Sequence, residues 1–267
     1  MLEISFFKYH GRGNDFILID DRNKSCSLSK ENISFLCDRN LGIGADGLVL
    51  IQDSEAFDFK MRIFNSDGME ANSCGNALFC FGKFVQDHKL TNKNKITVQL
   101  KRSTAAIHLN VDHLILTLNQ PKLIASPINI IMGDKHLFFD WIDSGVDHAV
   151  TFLDEINDID IEMIGRKVRH HQKFHPNGVN ANFANLVEKD VFFVRTYERG
   201  VEKETLSCIT GAIATAFSGK RKYKIDGPIT IKNQIGEVEI SFDDNKKAVN
   251  VRGGAVFIFK GKIQVTS

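Results

Sequence analysis

The chain has 267 residues, enough for one large domain or two modest ones. Its 34 lysines and arginines nearly cancel 33 aspartates and glutamates, and a net charge of +1 argues against a nucleic-acid or membrane surface as partner. The five cysteines, odd in number and without a Cys-x-x-Cys, fit reduced thiols in a cytoplasmic protein better than a disulfide framework or a zinc site.

The N-terminal stretch lacks a basic segment followed by an apolar run, so no signal peptide is expected. Apolar runs along the chain are strand-sized and broken by charges, which excludes a membrane-spanning helix. Ile4–Tyr9 and Phe16–Asp20 read as strands around a turn punctuated by Gly11 and Gly13. Ser29 predicts the N-cap of a helix from Lys30 to Asp38, with Asn32 where a capping box usually has Glu. Gly42-Ile43-Gly44-Ala45-Asp46-Gly47 matches G-x-G-x-x-G, but it follows a helix and opens the strand-like Leu48–Ile51. A dinucleotide fingerprint needs the reverse order, so a structural loop is expected.

The stretch Met61 to Val85 organises the rest. A strand, Met61–Phe64, runs into the polar turn Asn65-Ser66-Asp67-Gly68. Ser73-Cys74-Gly75-Asn76 then opens a segment apolar almost all round, including Ala77, Leu78, Cys80, Phe81, Phe84 and Val85, which predicts a buried helix. Cys74 in its first turn sits beside open backbone N–H groups and the positive end of the dipole, a setting that binds anions and lowers a thiol pKa.

Strand candidates follow at Ile96–Leu100, Ala105–Leu109 and Leu114–Leu118, and Asn119-Gln120-Pro121 marks a domain crossing. The second half shows strands at Phe138–Ile142, Ala149–Leu153, Phe183–Val187 and Val191–Tyr197, then at Ile229–Lys232, Val238–Phe242 and Ala248–Val251. Residues 193–217 repeat the earlier device. Arg195 and Tyr197 stand as Arg62 and Phe64 do, and Ser207-Cys208-Ile209-Thr210-Gly211 opens a second small-residue helix. The expected fold is α+β: two similar domains, each a largely antiparallel sheet wrapped around a central buried helix.

The blocks Lys8–Phe16, Cys37-Asp38-Arg39 with Gly42–Gly47, Arg62–Asn76, Val179–Phe183, and Glu198-Arg199-Gly200 leading to Cys208 together resemble the diaminopimelate epimerase family, a cofactor-independent two-cysteine family, over the whole chain. The resemblance implies that strands near Val256–Val265 return to complete the first domain, so that domain spans 1–119 with about 255–267, and the second spans 120–254. It implies interconversion of L,L- and meso-diaminopimelate, with Cys74 and Cys208 as paired base and acid on opposite faces of the α-carbon. No cofactor and no metal are expected, and the expected partners are the amino-acid substrate and a second copy of the chain.

By the same resemblance, Gly75, Asn76, Thr210 and Gly211 cradle the carboxylate beside the reacting carbon. Asn14 and His148 also bind substrate, and Asn65, Asn180 and Arg199 hold the distal head with Glu198 nearby. Cys26, Cys37 and Cys80 are read as structural. The sequence departs from the family in three places. Val146 replaces an asparagine before His148, Ile209 follows Cys208 in place of glycine, and the run 198–205 has one residue more and one glycine fewer. These departures bear on substrate selection, with Ile209 expected to crowd the turn beside Cys208. Other readings are a proline-type racemase of the same fold, which would lack the distal set, a non-catalytic binding protein, which retention of both cysteines disfavours, and a redox or thiol-storage protein, against which the absent Cys-x-x-Cys counts.

Overall fold

A computed structural model describes residues 2–24, 26–72 and 74–265, so Ser73 of the first Ser-Cys step lies outside the described residues. The chain divides into two compact units, Met1–Leu118 with Gly253–Ser267, and Asn119–Arg252.

The first unit contains strands β1 (Leu2–Gly11), β2 (Asn14–Asp20), β3 (Gly47–Gln52), β4 (Phe59–Asn65), β5 (Glu70–Ala71), β6 (Lys95–Gln99), β7 (Thr104–Leu109) and β8 (Leu114–Asn119), with helices α1 (Lys30–Cys37) and α2 (Gly75–Asp87). The second contains β9 (Lys122–Met132), β10 (Lys135–Asp143), β11 (Asp147–Phe152), β12 (Asn180–Glu188), β13 (Val191–Glu198), β14 (Lys203–Thr205), β15 (Ile229–Asn233), β16 (Gly236–Asp243) and β17 (Ala248–Gly253), with helices α3 (Ile161–Arg169) and α4 (Ile209–Tyr223). The last strand, β18 (Val256–Val265), belongs to the first unit and pairs antiparallel with β1 along its length, from Leu2 opposite Val265 to His10 opposite Val256.

Strand pairing follows one scheme twice. In the first unit β18, β1 and β2 run antiparallel in turn, β2 pairs parallel with β3 and β3 antiparallel with β4, which takes β5 antiparallel and β6 parallel before β7 and β8. In the second, β9, β10 and β11 run antiparallel in turn and β11 pairs parallel with β12. The strand β12 pairs antiparallel with β13, which takes β14 antiparallel and β15 parallel before β16 and β17. Each first parallel step needs a crossover, and α1 and α3 supply it. The late strand β18 therefore occupies in the first unit the place that β9 holds in the second.

Parallel neighbours explain the continuous apolar runs. Phe16–Ile19 and Leu48–Ile51 are buried throughout because helices cover both faces of such strands. One face packs on α1 through Ile17, Ile19, Leu48 and Leu50 against Ile33 and Leu36. Helix α2 packs against β1, β2, β3, β7 and β18 and buries Ala77 through Gly82 without a break, as its all-round apolar sequence predicts. Helix α4 does the same against β10–β13, β15 and β16. The α1 capping box is real: Ser29 Oγ accepts from Asn32 N at 3.2 Å and Asn32 Oδ1 accepts from Ser29 N at 3.2 Å, the short amide replacing the usual Glu.

The short strands β5 and β14, the long strand β9 and helix α3 went unread in the sequence. Strand β9 is broken in pattern by Ser126-Pro127, and its alternation is uneven toward solvent. Helix α3, capped by Asp160 Oδ1 on Met163 N at 2.9 Å, buries only Ile161, Gly165 and Val168, too thin a stripe to stand out among charges.

Candidate active site

In both units the strand before the central helix ends in a polar turn that sets a cysteine at the helix N-cap. Cys74 caps α2 in position with extended backbone (φ −151°, ψ 124°), and Cys208 stands likewise before α4 (φ −125°, ψ 110°). Both are half-buried and neither is in a disulfide. The first four N–H groups of a helix have no partner within it, so each thiol borders a ready donor cluster. Gly75 and Asn76 form the first turn of α2, and Ile209, Thr210 and Gly211 that of α4.

Around Cys74, Asn14 and Asn76 come together. Asn14 Oδ1 is 3.7 Å from the thiol and accepts from the Asn76 amide at 3.4 Å. Asn14 Nδ2 donates to Asp46 Oδ2 at 2.7 Å. Behind them lies a charge cluster. Arg39 donates to both oxygens of Asp15 (2.7 and 3.1 Å) and to Asp46 (2.8 Å), and the buried Lys8 pairs with Asp15 at 2.7 Å while donating to Gly44 O. Burial pushes the Asp15 carboxyl up, but Arg39 and then Lys8 outweigh it and hold it well below the usual carboxylate range. Asn65 ends β4 with an exposed side chain, and its backbone closes the turn to Gly68 and Met69.

Around Cys208 the sulfur accepts from Gly211 N at 3.4 Å and meets the Thr210 hydroxyl at 3.4 Å. Gly211 has no substitute here, because a Cβ would collide with Asn182 Oδ1. His148 Nε2 lies 3.0 Å from Thr210 Oγ1, and Ser144 Oγ donates to Thr210 O at 2.9 Å, so the loop before β11 braces the α4 first turn. His148 is fully buried, and burial pushes its pKa down to about 3, with Arg199 acting in the same direction. Its ring is enclosed by Thr210, Asn180 and Asn182. Asn180 Oδ1 accepts from Arg199 N at 2.8 Å, and the Arg199 guanidinium donates to Gly178 O at 3.0 Å, 3.9 Å from Asp147. Glu198 accepts from the Thr205 hydroxyl at 2.5 Å. Ile209, in the same first turn, is only 3 % exposed.

Sequence reading missed Asp46 and Asn182. Asn182 lay in view: Asn180 and Asn182 are two apart on one strand, hence on one face. The remaining cysteines are poor nucleophiles, since burial raises Cys26 to about 11 and Cys37 to about 12 and pushes Cys80 well up too.

The duplicated sheet-and-helix fold recurs among solved structures. Among solved structures, a hydroxyproline epimerase from Agrobacterium vitis with bound trans-4-OH-L-proline matches with TM-score 0.70 and 12 % identity, over 98 % of this chain and 92 % of that one. A PhzF-family phenazine biosynthesis protein from Bacillus anthracis matches with TM-score 0.73 and 15 % identity, over 99 % and 100 %. At those identities the likeness is one of fold.

Sequence similarity goes further. The family model described as diaminopimelate epimerase matches residues 6–122 and 140–258. Relatives named diaminopimelate epimerase include one from Methanococcus maripaludis, 34 % identical over 98 % of this chain and 100 % of that protein. Another, from Flavobacterium psychrophilum, is 37 % identical over 97 % and 100 %. The chain belongs to the diaminopimelate epimerase family.

Proposed function

We propose that this protein interconverts L,L- and meso-diaminopimelate by removing the α-proton with one cysteine and returning a proton to the opposite face with the other. The observation that carries the reading is the duplication itself: one half-buried thiol at the N-cap of each central helix, in topologically equivalent units of a chain from this family.

The α-proton of an amino acid is weakly acidic, so the negative charge that develops must be stabilised as it forms. First-turn N–H groups at Gly75, Asn76, Thr210 and Gly211, aimed at the α-carboxylate, would supply that. A thiolate takes the proton and a thiol gives one, so the protonation states of Cys74 and Cys208 exchange with each turnover. Asn14 supports this end of the substrate. Asn65, Asn180 and Arg199, with Glu198 nearby, hold the distal head, where the guanidinium suits a carboxylate. His148 acts through Thr210.

The product would serve lysine and peptidoglycan-precursor synthesis in the cytoplasm, where thiols stay reduced. A homodimer is part of the same reading: β18 presents Val256, Phe257, Ile258 and Phe259, each 41–53 % exposed in a row, an apolar run that a second copy would cover.

The test is turnover of L,L-diaminopimelate in deuterated water with no cofactor added. Early product should carry solvent deuterium at the α-carbon while residual substrate stays protiated, because separate groups remove and deliver the proton. Deuterium appearing equally in both from the start would overturn the two-base scheme, and no turnover would overturn the substrate.

A further inference from the structure

Two asparagine-centred relays lead to the two thiols, one ending in donors at Cys208 and the other in an acceptor at Cys74. On the second unit the chain of donors begins at the fully buried Asn182. Its Nδ2 faces Ala149 O at 3.3 Å and Asn180 O at 3.5 Å, which can only accept, while its Oδ1 accepts from the Thr196 hydroxyl at 3.0 Å. The amide orientation is therefore fixed. That same NH2 group lies 2.9 Å from His148 Nδ1, so Nδ1 must accept and the ring proton sits on Nε2. Nε2–H then donates to Thr210 Oγ1 at 3.0 Å. The Asn180 amide is farther from Nε2, at 3.4 Å, and donates to Asp147 O at 3.2 Å. Because Oγ1 accepts from Nε2–H, the Thr210 hydroxyl must direct its own proton away from the ring, and Cys208 Sγ lies 3.4 Å away. Gly211 N–H adds a second donor to the same sulfur.

On the first unit the order is reversed. A carboxylate only accepts, so Asp46 forces the Asn14 NH2 group toward itself and leaves the Asn14 oxygen toward Cys74. Arg39, tied also to Asp15, keeps Asp46 in place. The Cys74 side chain does not cap its helix, whereas that of Cys208 accepts from Gly211 N. Donors favour a thiolate, and an acceptor favours a thiol. Charged and titratable groups nearby are Asp15, Lys8, Arg39, Asp46 and Cys80 on the first unit, and Arg199 and Asp147 beside His148 on the second.

We propose that Asn182 and Asp46 are positioning residues that hold the two cysteines in opposite states in the free protein, Cys208 as the thiolate and Cys74 as the thiol. This deepens the reading of both as proton carriers and rests on it. It makes Cys208 the base for the first turnover, so the resting protein takes the epimer whose α-hydrogen faces Cys208. The other epimer needs the proton moved first.

The test is limiting iodoacetamide on the intact protein without substrate, from pH 6 to 9.5, with each cysteine followed by peptide mass spectrometry. At pH 7, Cys208 should react about tenfold faster than Cys74, the ratio for one unit between their midpoints. Thr210→Val should move the Cys208 profile to higher pH and Thr210→Ser should restore it. Asp46→Asn, which lets the Asn14 amide turn, should move the Cys74 profile to lower pH. Coincident profiles in the wild type, or an unmoved Cys208 profile in Thr210→Val, would overturn the proposal. Because no substrate is present, the outcome is independent of whether diaminopimelate is turned over. Deuterium labelling of the expected kind with coincident thiol profiles would leave the function standing and remove this inference alone.

Discussion

Arg195 grips Glu204 at two points, Nε to Oε1 at 2.8 Å and Nη2 to Oε2 at 2.7 Å, just as Arg62 grips Glu70 in the other unit at 3.0 and 3.1 Å. The pair ties the strand leading into each central helix to the short strand just before its cysteine. The two copies differ in their surroundings. Arg195 is 15 % exposed and also donates to Ile156, Asn157 and Ile159 carbonyls, whereas Arg62 is 36 % exposed. Removing Arg195 leaves a shielded carboxylate and several carbonyls without their donor. Arg195→Ala should cost about 3 kcal/mol and Arg62→Ala about 1 kcal/mol. Urea midpoints of the two variants check this, and equal losses would show that burial does not set the difference.

Asp15 makes stability fall in acid. Its folded pKa is depressed because Arg39 and Lys8 outweigh burial, while an unfolded aspartate titrates near about 4. The stabilisation is thus fully present above that value and is lost as pH falls through the folded pKa. Circular dichroism of wild type between pH 6 and 2 should show a steep acid limb that Asp15→Asn flattens. The variant starts from lower stability at pH 7, since Lys8, only 4 % exposed, loses its partner. An unchanged acid slope would assign the limb to other carboxylates.

Much of this was legible because local pattern and local burial agree. Period-two strands, the all-round apolar α2 and the Ser29 cap depend on near neighbours, and so does the repeat from Arg62 to Cys74 and Arg195 to Cys208. The repeat also held an unread clue: α1 bridges the first parallel step, so an equivalent helix was due between β11 and β12, where α3 stands. What stayed hidden depends on distant partners. Asn14 meets Asp46 across 32 positions, and His148 meets Thr210 across 62. A turn asparagine and a loop aspartate show no periodicity that would join them. Lys8 reads as a surface residue until β1 is flanked by both β2 and β18.

Cys74→Ala and Cys208→Ala should each lower kcat by at least about a hundredfold, since a lost acid or base of this kind is worth roughly 10²–10⁴. Both side chains are only half-buried, so thermal midpoints should stay near wild type. Cys80→Ala, in the interior of α2, should keep most activity and lose about 1 kcal/mol of stability instead. Wild-type turnover by either N-cap variant would end the assignment.

The resemblance to the family makes Val146 the position expected to loosen selection at the far end of the substrate. It stands where the family has an asparagine, two residues before the buried His148, and its backbone oxygen accepts from Ser144 N at 3.1 Å in a tight turn. The turn braces the Thr210 step through the Ser144 hydroxyl. A valine there gives no hydrogen bond, and one to a charged group is worth roughly 1.5–3 kcal/mol. Distal selection should be looser by about one to two powers of ten. Diaminopimelate should remain a substrate, because the proposed distal set of Asn65, Asn180 and Arg199 is intact, but its advantage over shorter acidic amino acids should shrink, since fewer site groups are left unpaired by the shorter molecule. Val146→Asn should therefore raise the ratio of kcat/KM for diaminopimelate over that for a shorter acidic amino acid by about tenfold or more, with the change arising mainly in the diaminopimelate value. If the ratio stays at its wild-type level while the variant remains folded and active, position 146 is not the discriminating contact.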